Sequence, residues 1–175
     1  MPGIWMSRTR SQRRLFHCDV AGAYQAITYR LGDSLPAVVL NSCREHGRPA
    51  HEKAYRRKRI EKYLDTGYGS CILKIPAVAN IVIDSWKYFH NKHYELVAYV
   101  VMPNHVHLLV KTYPNYPLRN IIHSWKSYTA KEINKCISHG RDAHAPGFVY
   151  KSNVWQANYW DRLIRHETHY ISMIN

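Results

Sequence analysis

Val100-Val101-Met102-Pro103-Asn104-His105-Val106-His107-Leu108-Leu109-Val110 sets two apolar runs on either side of a turn signal, Pro103-Asn104. The stretch predicts one strand, a tight turn and a second strand. Side chains alternate faces along a strand, so His105 and His107 point to one side and Val106 to the other. Two imidazoles held side by side on a rigid strand make a good pair of metal ligands, because the backbone sets their separation before any ion arrives. Strands also carry histidines that only pack, so the pair needs support from the rest of the chain.

Working outward, residues 94–101 form the strand before the turn and residues 105–111 the strand after it. The aromatic and β-branched run over 23–31 predicts a further strand in the same sheet. Gly32-Asp33-Ser34 ends it, and Ser34 with Pro36 predicts a helix running through Leu35 to about Arg44. A strongly basic helix is expected over about 51–64, with Lys53, Arg56, Arg57, Lys58 and Arg59 crowding it and Ala54, Ile60 and Leu64 as its thin apolar side. Cys71-Ile72-Leu73-Lys74 reads as a short strand or an extended link. Pro76 opens an amphipathic helix whose stripe, Val78, Ile81, Val82, Ser85, Trp86 and Phe89, is core. A second such helix covers 118–136, with Leu118, Ile122, Trp125, Thr129 and Ile133 at helical spacing. Tyr128 and Glu132 lie one turn apart beside that stripe, so both can point at one object. Residues 138–153 read as loop, and 154–175 as aromatic and partly helical.

The chain has 175 residues, which suits one domain with a sizeable core. We place that domain at 19–175, after a basic arm over 1–18 that carries Arg8, Arg10, Arg13 and Arg14. Twenty-five Lys and Arg against twelve Asp and Glu give a net charge of +13, which selects a polyanionic partner, nucleic acid first. Fourteen tyrosines and five tryptophans supply flat faces suited to unpaired bases. Cys18, Cys43, Cys71 and Cys136 are widely spaced, so neither a zinc knuckle nor a disulfide framework is expected. No apolar run approaches the ~18 residues of a membrane span, and no signal core follows the basic N-terminus, so the expected compartment is the cytoplasm.

Two neutral imidazoles with one carboxylate can hold Mg²⁺ or Mn²⁺ and leave positions open for substrate. Such an ion polarises a scissile phosphodiester. A tyrosine hydroxyl, with its unperturbed pKa of about 10, needs nearby positive charge to attack it, and Lys126 or Lys131 could provide that.

Four stretches make the sequence resemble the single-tyrosine HUH transposases of the IS200-like family, most closely the REP-associated tyrosine transposases. They are Tyr29-Arg30-Leu31-Gly32-Asp33-Ser34-Leu35-Pro36, residues 101–110, His123-Ser124-Trp125-Lys126-Ser127-Tyr128-Thr129-Ala130, and Val154-Trp155-Gln156 with residues 159–165. The resemblance covers about residues 20–172. It implies an α+β, ferredoxin-like antiparallel sheet with helices packed on it. It implies His105, His107 and Glu132 as metal ligands and Tyr128 as the nucleophile, which becomes linked to the 5′ phosphate of a nicked strand. The implied partner is single-stranded or hairpin DNA, bound by a monomer or a homodimer. Arg13, Arg14, Arg56, Arg57, Lys126, Lys131 and Arg162 are the candidate DNA contacts. Relatives continue with a further helix and an Asn-Pro-containing tail, where this sequence ends at Asn175. The competing reading is a module of the same fold that binds hairpin DNA or RNA without cutting it. A histidine-triad hydrolase is disfavoured, since Leu109 stands where that motif needs a third histidine.

Overall fold

The computed structural model of the chain describes residues 17, 19–42, 50–139 and 153–174. Four strands form one antiparallel sheet: β1 (Tyr24–Arg30), β2 (Tyr94–Val101), β3 (His105–Thr112) and β4 (Trp160–Leu163), in the order β2-β3-β1-β4. The helices are α1 (Ala37–Ser42), α2 (Ala50–Asp65), α3 (Pro76–Tyr88), α4 (Leu118–His139) and α5 (Glu167–Ile174). α3 connects β1 to β2 and α4 connects β3 to β4, which with this strand order is the ferredoxin-like arrangement the sequence led us to expect.

The quoted stretch forms the hairpin between β2 and β3, closed by Met102 N–H donating to the His105 carbonyl at 2.9 Å. β1 lies on the other side of β3, with Thr28 opposite His107 and Arg30 opposite His105. Alternation then sorts the side chains. Ile27, Tyr29, Val106, Leu108 and Val110 face one way, into a core completed by Val78, Val82 and Trp86 of α3 and Leu118, Ile122, Trp125 and Ile133 of α4. The polar ends of its aromatic residues are satisfied within it. Trp86 donates to the Tyr29 hydroxyl at 2.8 Å, Trp125 to the Tyr94 hydroxyl at 2.9 Å, and Tyr94 to the Trp86 carbonyl at 2.6 Å. Truncating either tryptophan to alanine would cost about 3–5 kcal/mol.

The opposite face carries Ala26, Thr28, Arg30, His105, His107 and Leu109. α2 covers part of it through Ile60 and Leu64, which pack with Leu35, Val39 and Trp160. α5 covers another part, with Tyr170 against Ala26, Leu109 and Ile164. The histidines therefore lie on a face that has two helices over it and contains neither α3 nor α4.

Several expectations need correcting. Ser34 does not open a helix, because its hydroxyl donates to the Leu31 carbonyl at 2.7 Å and accepts from Arg30 at 3.0 Å; α1 starts later, at Ala37. Ile72–Lys74 is a 3-10 turn that buries Ile72 and Leu73, and not a strand or an extended link. β4 lies inside the segment read only as partly helical. At Gly32 the chain leaves β1 so close to the 153–154 backbone that a Cβ there would sit 2.6 Å from the Asn153 carbonyl oxygen. The arm residues 1–16, with Arg13 and Arg14, the side chain of Arg56, and residues 140–152 lie outside the described residues.

Candidate metal centre

Nε2 of His105 and Nε2 of His107 are 3.0 Å apart. Each ring is held from behind. Nδ1 of His105 is 2.8 Å from Asn104 Oδ1, and Nδ1 of His107 is 2.8 Å from Thr28 Oγ1. An amide oxygen only accepts, so Nδ1 of His105 carries the hydrogen and Nε2 keeps its lone pair. The orientation of Asn104 is itself fixed, because its Nδ2 donates to the Tyr68 carbonyl at 2.9 Å. The Thr28 hydroxyl can accept from Nδ1 of His107 or donate to it, and only the first tautomer frees the second Nε2 in the same way.

Two lone pairs at this distance repel unless a proton or a cation stands between them. Adjacent ligands of an octahedral ion, each about 2.1 Å from it, are about 3 Å apart, so the donor pair fits one divalent ion. Burial, then the neighbouring His107, lowers the His105 pKa to about 4; the carboxylate of Asp65 opposes this. Burial is also the main cause of a lowered His107 pKa, opposed by Glu61 and Asp65 and helped by Arg57. Both rings are therefore neutral near pH 7, as ligands must be.

Tyr128 and Glu132 are not brought to this pair. Both sit on α4, whose stripe docks on the face opposite the histidines, and a packed layer is about 10 Å thick. Tyr128 is 55% exposed, and Glu132 accepts from Lys135 at 2.8 Å. Among the described residues, no group of three His, Cys, Asp or Glu side chains could hold a metal ion. The carboxylates whose charge the histidines feel belong to α2, where Glu61 accepts from Arg57 Nε at 2.9 Å.

The other expected DNA contacts scatter. Arg57 is on α2 near the pair, Arg162 is exposed on β4, and Lys131 is on α4. Lys126 is turned inward onto backbone carbonyls. Sequence reasoning missed Asn104 and Thr28. The turn signal hid the first, while the second shows only once the β1–β3 register is known.

No helix among the described residues is long and apolar enough to cross a membrane. No curated protein matches the chain. Among solved structures it is similar to a REP-associated tyrosine transposase bound to a REP hairpin, at 13% identity and a TM-score of 0.49, covering 97% of this chain and 68% of that one. It is also similar to a protein of Deinococcus radiodurans R1 described as a transposase, at 17% identity and a TM-score of 0.41, covering 97% and 92%. The family model described as "Transposase IS200 like" matches residues 53–172, well over half the chain and including both the histidine strand and α4. The chain belongs to the IS200-like transposase family.

Proposed function

We propose that this transposase cuts and transfers single-stranded DNA at His105 and His107, which hold one Mg²⁺ or Mn²⁺ ion. The observation that carries the reading is the supported pair: two Nε2 atoms 3.0 Å apart, each ring fixed through its Nδ1. Both rings turn Nε2 to one point on the sheet, which supports cleavage over the binding-only module. When bound, the ion supplies Lewis-acid polarisation of a phosphate oxygen.

The chain's own residues do the rest. Asn104 keeps His105 in the ligating tautomer, and Thr28 orients the His107 ring and can accept from its Nδ1. Arg57 adds positive charge beside the pair, matching the phosphate backbone of a hairpin or single strand. The attacking hydroxyl belongs to the histidine side of the sheet, and the sheet separates it from the Tyr128 of the same chain. α5 packs on Leu109, the next side chain after His107 on that face, which supports it as the source of that hydroxyl.

Incubating the protein with labelled hairpin DNA and Mn²⁺, then denaturing it, tests the reading. A covalent protein–DNA adduct should form, and His105→Ala should abolish it at ordinary ion concentrations. Equal adduct from that variant would remove the metal pair from the mechanism.

A further inference from the structure

Asn104 is fully buried, and its side-chain amide faces two partners of opposite need. Oδ1 meets Nδ1 of His105 at 2.8 Å, and Nδ2 donates to the Tyr68 carbonyl at 2.9 Å. A carbonyl only accepts, so the Tyr68 oxygen decides which end of the amide turns toward it. With the amide reversed, two oxygens would face each other and Nδ2 would meet His105. Nδ1 would then have to accept, the ring hydrogen would move to Nε2, and the lone pair that a metal needs would be lost. The tautomer of His105 is therefore set by where one backbone carbonyl sits.

That carbonyl belongs to the 66–71 loop between α2 and the 3-10 turn. The loop bends through positive φ at Gly67 (70°), Gly69 (96°) and Cys71 (51°). Cys71 Sγ closes it on itself by donating to the Gly67 carbonyl at 2.9 Å, and Leu73 N–H, just beyond it, donates to the Pro103 carbonyl at 3.2 Å. The first bond shapes the loop, and the second anchors the turn that follows. Residues 68–70 are held by Asp33, whose Oδ2 accepts from the Ser70 N–H at 2.9 Å. Gly69 lies directly against the same residue: a Cβ there would sit 2.7 Å from the Asp33 carbonyl oxygen and 3.2 Å from its Cγ.

Asp33 stands where the chain leaves β1, just after Leu31, whose N–H donates to the Asn104 carbonyl at 2.9 Å. Three stretches distant in sequence thus close a ring of contacts: Asp33 to Ser70, Tyr68 to Asn104, and Asn104 back to Leu31. A drift of the loop carbonyl away from Asn104 has to stretch the bond at Asp33.

We infer that Asp33 is a remote positioning residue for the histidine pair: by holding the 68–70 loop it sets the direction of the Asn104 amide, and so which nitrogen of His105 carries the hydrogen. The inference rests on the metal reading for its purpose and on the hydrogen bonds alone for its geometry. Asp33 acts through Ser70, Tyr68 and Asn104, and not on the ring itself.

Nitrogen NMR of the isotope-labelled, metal-free full chain reads the tautomer directly, because bare and hydrogen-bearing ring nitrogens resonate far apart. The His105 signals are assigned by their loss in His105→Ala. The parent should carry hydrogen on Nδ1 only. In Asp33→Ala a share of the Nε2–H form should appear, whereas Asp33→Asn, whose amide oxygen still accepts from Ser70, should match the parent. Calorimetry should give Asp33→Ala an Mn²⁺ affinity about tenfold weaker than the parent, the low end for a lost outer partner. Circular dichroism and melting temperature establish folding. Were Asp33→Ala to unfold, Gly69→Ala, which pushes the loop off Asp33, decides the matter by the same spectra. Hydrogen on Nε2 in the parent, an unchanged tautomer in the folded variant, or an equal change in Asp33→Asn and Asp33→Ala would overturn the inference. The two readings fail separately. If the parent binds no Mn²⁺ but the tautomer follows Asp33, the positioning stands and the metal reading falls. If the parent binds Mn²⁺ and Asp33→Ala alters neither tautomer nor affinity, the positioning falls alone.

Discussion

Replacing Asn104 by alanine removes the acceptor that fixes the His105 ring and the donor that fixes Asn104 itself. Both histidines remain, so Mn²⁺ should still bind, but about 10–100-fold more weakly, as is usual when a ligand's outer support is lost. Calorimetric titration of Asn104→Ala against the parent checks this; equal affinity would show that the tautomer is fixed elsewhere. The same two rings set a pH dependence. An unfolded histidine titrates near 6.5, whereas in the folded chain both are lowered, His105 to about 4. Below pH 6.5 the unfolded chain takes up protons that the folded pair refuses. Stability of the metal-free protein should therefore fall as pH drops from about 6.5 to about 4, and this contribution should level off below. Urea midpoints across that window measure it, and the slope should vanish in the double variant His105→Ala/His107→Ala. The histidines were legible because a period of two needs only neighbouring residues. The role of Asn104 was not, since one of its partners is a carbonyl 36 residues away.

At the scale of elements, α4 is the helix the spacing predicts, and its stripe docks on the sheet face away from the histidines. Its stripe of Leu118, Ile122, Trp125 and Ile133 needs an apolar surface, and on β3 that surface is Val106, Leu108 and Val110. The alternation that aligns the two histidines with each other thus also sends α4 to the far face, so Tyr128 follows Val106 and not His105. Tyr128→Phe, which keeps nearly all the packing, should consequently leave adduct formation within a few-fold of the parent. Peptide mapping of the adduct should place the DNA outside the α4 peptide. Complete loss of adduct in Tyr128→Phe would mean that a second copy of the chain delivers this tyrosine. Buried hydroxyls are poor candidates, because burial raises the Tyr94 pKa to about 12 and raises Tyr29 and Tyr159 as well. The short pieces were least legible. β4 has four residues, too few to display a period, and the apolar Ile72-Leu73 pair suits a buried 3-10 turn as well as a strand.

For the molecule as a whole, the hairpin, the first strand and the helices followed from local spacing, while the ferredoxin-like order was an expectation of the family resemblance. The helices on the histidine face did not follow from it. α2 had been read mainly from its charge, and it docks through Ile60 and Leu64 with Tyr63 packed beside them. Together with α5 it makes the molecule layered on both sides of the sheet, with the histidines between. That has a consequence in time as well as in affinity. His105 has 1% of its surface exposed, whereas His107 is only partly buried, so on the proposed metal reading an ion would meet His107 first. Loading would then have two steps, capture by one imidazole at a rate set by ion concentration and a slower closing of the second ring. In stopped-flow mixing with Mn²⁺, the observed rate should rise with concentration and then saturate, the plateau belonging to the protein and not to the ion. A rate that stayed linear to high concentration would mean that both rings are met at once, from an open surface.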